Sequence, residues 1–131
     1  MHGAPLLQGV EIYKSKPVFY GLGNFIFNYT ATEAESYLDE PIIWESMVAH
    51  VAFTGHAPTS ISFQPIAMNK IGEGQPDLKD RSAVTPYLQT RGLPKPVTGK
   101  QAGFILARLA EASRPLGTEI VVTGGTAAVR K

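Results

Sequence analysis

Residues 6–27 constrain the fold most. They hold two runs rich in β-branched and aromatic side chains, 6–13 and 17–21, separated only by Lys14-Ser15-Lys16. A polar connection that short predicts an antiparallel hairpin. Pro17 has no N–H to give to a ladder and suits the first position of the return strand. Gly21-Leu22-Gly23-Asn24 then predicts a bend, because glycine reaches positive φ at little steric cost and Asn24 tolerates a left-handed turn. Phe25-Ile26-Phe27 reads as a short apolar strand beyond the bend. The apolar content of 6–27 predicts that this hairpin is the centre of the sheet.

The rest of the chain repeats the antiparallel theme. In 46–54, Met47, Ala49, Val51 and Phe53 alternate with Ser46, His50 and Thr54, the period of a half-buried strand. Gly55-His56-Ala57-Pro58 is a turn, and Ile61 to Ala67 forms the partner strand, where Pro65 suggests an edge or a bulge. Residues 69–98 are rich in Gly, Pro and charge and show no sustained period, so they read as a long irregular loop; such loops often cover a site or another chain. Thr98 to Ser113 is the clearest helix. Ala102, Ile105, Leu106 and Leu109 fall on one stripe, Thr98 and Gln101 form a capping-box pattern, and Pro115 and Gly117 end it. Gly124-Gly125 between two short β runs signals a closing hairpin. The predicted class is α+β: mainly antiparallel β-hairpins with one C-terminal amphipathic helix, in a single domain spanning 1–131.

Composition narrows the function. With 44% apolar and 18% charged residues the chain can bury a core. The net charge of +1 gives no broad electrostatic attraction to nucleic acid. Cysteine is absent, which excludes disulfides, thiolate zinc sites and a cysteine nucleophile. No apolar run is long enough to span a membrane and no signal peptide is visible.

Several residues have chemistry worth weighing. Glu11, between Val10 and Ile12, points away from their face, toward water or toward a missing upstream half. His50 and His56 could meet across a strand end and turn, but no third ligand lies nearby, so solvent-facing histidines are the simpler reading. Glu33, Glu35, Asp39 and Glu40 lack the spacing of a calcium loop and read as a solvated loop. Gly124-Gly125-Thr126 is a tight turn rather than a phosphate loop, and Ser113-Arg114 lacks partners for nucleophilic catalysis.

Leu7-Gln8-Gly9-Val10-Glu11-Ile12-Tyr13 followed by Pro17-Val18-Phe19-Tyr20-Gly21-Leu22-Gly23-Asn24-Phe25 resembles the late part of bacterial capsule-synthesis proteins of the CapA type, associated with poly-γ-glutamate. Ile43-Trp44-Glu45-Ser46 resembles the family's middle. Arg91-Gly92-Leu93-Pro94, Gly103 to Leu109, Ser113 and Leu116-Gly117-Thr118 resemble its closing segment. In that family a Gly-His-x-x-His cluster precedes the first strand and is similar to the late histidine ligands of metallophosphoesterases. His2 matches its first histidine, and Pro5 stands where the second would be. His2 is therefore the one metal-ligand candidate, with a frayed terminal histidine as the alternative. Gly23-Asn24-Phe25 resembles the metallophosphoesterase Gly-Asn-His motif, but phenylalanine replaces the histidine, which favours a structural role for Asn24.

The resemblance implies the C-terminal portion of a larger bacterial protein with a metallophosphoesterase-like layered α/β sandwich. It implies a divalent metal (Mn, Fe or Zn) and a polymer or phosphoester substrate in the parent, with the parent extracytoplasmic or membrane-anchored. No cofactor and no activity are expected of this chain alone. The catalytic residues are not readable here, and Glu11 and Asn24 are the site-proximal candidates. The expected partner is the upstream half of the parent domain or a second copy, joined through apolar hairpin surface. The alternative reading is a non-enzymatic β-rich binding or assembly module.

Overall fold

The computed structural model describes residues 5–27, 40–74, 87 and 89–130. The elements run β1 (Val10–Tyr13), β2 (Lys16–Phe19), a 3-10 turn (Pro41–Trp44), β3 (Glu45–Thr54), β4 (Ala57–Met68), β5 (Pro94–Pro96), α1 (Gly99–Ser113), a second 3-10 turn (Arg114–Leu116), β6 (Ile120–Thr123) and β7 (Thr126–Val129). The class is α+β, as the sequence predicts. β3-β4-β7-β6 form an antiparallel sheet, and β5 pairs with β4 to make it five-stranded. β1 and β2 form a separate two-stranded sheet.

Turn chemistry sets the local elements. β1 and β2 are joined by Lys14 and Ser15, both at positive φ (45° and 62°), the twist that suits a two-residue hairpin. Neither residue is glycine, so this turn carries local strain. β6 and β7 close through Gly124 and Gly125, again both at positive φ, where glycine carries no such cost.

The odd-numbered residues of β3 and β4 face one core. Val10, Met47, Ile61, Phe63, Ile105, Leu106, Leu109, Ile120 and Ala127 form one buried cluster, with Phe19, Ala49 and Val51 packed against it. The helical stripe read from the sequence is therefore the face that α1 buries. Phe19 meets Phe63 edge-to-face at 6.3 Å between ring centroids. A second cluster of Ile43, Trp44 and Met68 takes in Leu6 and Phe27.

Five expectations need correction. The 6–27 hairpin is not the centre of the sheet. Among the described residues of the segment, Leu22 alone bonds the backbone of β3, where its carbonyl accepts the Met47 N–H (3.0 Å) and the Ser46 hydroxyl (2.6 Å); Gly23, at φ 83°, then turns the chain away. For the same reason Phe25–Phe27 is not a strand: Phe25 and Ile26 are exposed, while the Phe27 N–H bonds the Gly92 carbonyl (3.1 Å) and its ring meets Trp44.

Pro65 is internal, not at an edge. It lies opposite Met47, and its carbonyl accepts the Val97 N–H on the other side. Backbone N–H and C=O of one extended residue point the same way, so the missing N–H falls between β7, which pairs with Ser62 and Phe63, and β5, which begins at Ile66. The irregular loop 69–98 contains β5. Its two ends are tied where Asn69 exchanges backbone bonds with Gly92 and Leu93 (2.8 and 2.9 Å). Thr98 does occupy the cap position of α1, but its side chain makes no cap bond. Gln101 instead reaches Glu45 (3.4 Å).

Candidate functional site

The hairpin is held against the end of α1 by two hydroxyls. β2 satisfies one edge of β1, which leaves alternate N–H groups of β1 facing outward. The Val10 N–H donates to Ser113 Oγ (3.0 Å), and the Ile12 N–H donates to Thr118 Oγ1 (3.2 Å). Ser113 in turn donates to the Leu109 carbonyl one helical turn back (2.7 Å). Ser113 and Thr118 are both buried; the Val10 bond forms away from water, where an unpaired N–H is costly, while the Ile12 bond is only partly buried. In the sequence, Ser113 and Leu116-Gly117-Thr118 resemble a family closing segment, and no local pattern links them to the hairpin. Their hydroxyl chemistry was the available signal: serine and threonine readily bond nearby backbone groups.

Ser113→Ala should leave the buried Val10 N–H without a partner, at a cost of about 1–3 kcal/mol. Urea unfolding would measure it. A midpoint and slope equal to those of the unsubstituted chain would show that the hydroxyl contributes nothing.

A buried charge pair fixes the start of β3. Glu45 is 7% exposed and pairs with Arg108 of α1, whose side chain keeps 37% exposure. Breaking a fully buried pair costs roughly 3–5 kcal/mol. Arg108 is partly solvated, so Arg108→Ala should fall near or below the lower end, and Arg108→Lys should recover only part because the fork geometry is lost. Thermal melts of the two variants separate these outcomes; an unchanged midpoint for Arg108→Ala would contradict the pairing. An open depression of about 420 Å³ lies alongside, lined by Leu6, Leu7, Ile42, Arg108, Glu111 and Ala112.

Glu11 lies on the hairpin face turned away from Val10, as its flanking residues predict. There it accepts the Tyr20 hydroxyl (2.6 Å). That hydrogen bond, with smaller contributions from burial and from the carboxylate's charge, holds the Tyr20 phenol above the ordinary tyrosine range. Asn24 donates to the Ile43 carbonyl (3.3 Å), tying the bend to the first 3-10 turn. It does not adopt the left-handed conformation; Lys14 and Ser15 are the non-glycine residues that do among those described.

His2 lies outside the described residues, as do Glu33, Glu35 and Asp39. His50 sits on β3 opposite Ser62. His56 lies in the β3–β4 turn, where its carbonyl accepts the Lys16 ammonium. Among the described residues no three His, Cys, Asp or Glu side chains gather as metal ligands. Glu11 and Asn24 have the protein partners just given, so the described residues do not fit a divalent metal. Among them, too, no helix is long and apolar enough to cross a membrane.

The fold is thus an antiparallel sheet backed by one helix, with a hairpin locked to the helix end. The family match falls on that hairpin, and two relatives align along nearly the whole chain. Residues 1–29 match the family described as bacterial capsule synthesis protein PGA_cap. Two proteins of Sinorhizobium fredii (strain NBRC 101917 / NGR234), uncharacterized protein y4sH and uncharacterized protein y4uA, are each 31% identical over 164 residues. Those alignments cover 98% of this chain and 32% of each relative, so the chain spans about a third of the length of these relatives.

Proposed function

We propose that this chain forms part of a bacterial capsule-synthesis protein of the CapA type, one that acts on poly-γ-glutamate or a related surface polymer. The observation that carries the reading is the family match on residues 1–29, which includes the hairpin that Ser113 and Thr118 hold to α1. In this reading the chain's role is architectural. Its helix and sheet hold the hairpin at a set angle, with Glu11 and Tyr20 on the outward face. In this reading the resemblance to metallophosphoesterases supports a metal-dependent phosphoester-cleaving parent, with His2 the ligand candidate in this chain and the other ligands supplied elsewhere. The alternative, a non-enzymatic β-rich binding or assembly module, is supported by the hairpin, α1 and sheet meeting in one buried apolar cluster among the described residues.

Two experiments test this. Deleting the coding sequence in its bacterial host should reduce surface polymer by capsule staining and polymer assay; unchanged polymer would contradict the capsule reading. The purified chain with Mn²⁺ should show no turnover of a generic phosphoester. Turnover that survives stringent purification and is lost with a chelator would overturn the architectural role.

A further inference from the structure

We propose that β3 pairs, edge to edge and antiparallel, with β3 of a second copy of this chain, about an axis at Val51. β3 is an outer strand of its sheet. Its even-numbered residues bond to β4, and the odd-numbered ones present N–H and C=O outward, as the Met47 bond to Leu22 shows. Leu22 takes the first of these rungs. Beyond it, Ala49, Val51 and Phe53 offer their outward backbone groups to no strand among the described residues. The register shift at Ala52/Phe53 places the extra residue, Thr59, on β4, because Ala52 pairs with Ser60 and Phe53 with Pro58. β3 itself therefore runs without a bulge.

Natural edges are protected by charge, proline, bulges or brevity. Val48-Ala49-His50-Val51-Ala52-Phe53-Thr54 has no acidic or basic residue apart from His50, no proline, no extra residue and ample length. By contrast, the opposite edge strand, β6, has four residues.

The span Val48–Thr54, unpaired on this edge among the described residues, has Val51 at its midpoint, and its side chains suit self-pairing. An antiparallel partner centred there places Val51 opposite Val51, Ala49 opposite Phe53, His50 opposite Ala52 and Val48 opposite Thr54. The two largest side chains, Phe53 and His50, each face an alanine. Phe53, 56% exposed in the single chain, gains an apolar neighbour in Ala49, and no two histidines are opposed. Outward groups of Ala49, Val51 and Phe53 meet one another, and the Leu22 rung stays in place. Interfaces of this kind are isologous and close as dimers.

Sedimentation equilibrium over a wide concentration range, joined to amide exchange, tests the pairing. The weight-average mass should rise from 14.1 kDa toward twice that value. The Ala49, Val51 and Phe53 amides should slow at high concentration while those of β6 do not. Val51→Pro removes the outward donor at the axis without removing a bond to β4, a position where an edge strand accepts proline, and should hold the mass at 14.1 kDa. If that variant does not fold, the amide readout on the unsubstituted chain decides. A constant monomer mass overturns the proposal. So does a dimer that leaves those three amides unprotected, or one that a folded Val51→Pro chain still forms.

Discussion

Phe63→Ala should unfold most of the population at moderate denaturant, at a cost of about 3–5 kcal/mol. Phe63 is 1% exposed at the centre of the main cluster. It lies on β4, the strand that touches β3, β5 and β7, and its ring stacks edge-to-face on Phe19 of the hairpin. Truncation therefore opens a cavity where the hairpin meets the sheet. The neighbours are held by ladders and cannot readily collapse into it. Against a total stability of roughly 5–15 kcal/mol, that loss is a large fraction. Urea denaturation followed by circular dichroism measures it. A loss under about 1 kcal/mol would mean that Phe63 packs less tightly than the cluster implies.

Gly9→Val should be comparably severe for the opposite reason. A Cβ built on Gly9 would lie 2.3 Å from the Ala112 carbonyl oxygen and 2.7 Å from Leu116 Cδ1. The oxygen is backbone and cannot rotate away, so the hairpin would have to lift off α1 and strain the Ser113 and Thr118 bonds. Overpacking typically costs about 1–3 kcal/mol and sometimes more; with a backbone clash and two further methyls, about 3 kcal/mol or more is expected. Gly103→Ala is the matched control. It lies within α1 with nothing within 4 Å of its built Cβ, so it should stabilise by about 0.5–1 kcal/mol through helix propensity. Opposite shifts in melting temperature for the two variants would support the docking. A Gly9→Val chain that melts with its parent would refute it.

Local patterns carried most of the secondary structure. Lys14-Ser15, Gly55-His56 and Gly124-Gly125 mark hairpins within a few residues of their strands, and the Ala102–Leu109 stripe repeats at helical spacing. The placement of those pieces was less legible. Alternation in 6–27 shows that a strand pair has an apolar face, but not whether that face joins a sheet or lies on one; Gly23 and the single Leu22 rung decide it. Pro65 reads as an edge or a bulge because its neighbours on the far side, β5 and β7, come from residues some thirty and sixty positions further on. β5 itself, Pro-Lys-Pro, has no strand pattern and forms by pairing with Ile66–Met68.

The candidate site divides in the same way. Glu11 pointing away from Val10 follows from strand alternation, and its bond to Tyr20 lies within the same hairpin. The Val10–Ser113 and Ile12–Thr118 bonds join residues 103 and 106 positions apart. No periodicity reports contacts that distant. The Glu45–Arg108 pair spans 63 positions and is equally hidden, since no local pattern links a glutamate at a strand start to an arginine on a distant helix.

Hydrogen exchange at Val10 and Ile12 tests the central claim most directly, that the hairpin bearing the family match is locked to the end of α1. Their amides are the two that β1 turns toward Ser113 and Thr118. If the hairpin is part of the same cooperative unit, both should exchange as slowly as the core amides of β4, and Ser113→Ala should speed Val10 more than Ile12. Exchange of both at the rate of exposed loop amides, while β4 stays protected, would mean that the hairpin opens independently and would contradict the account.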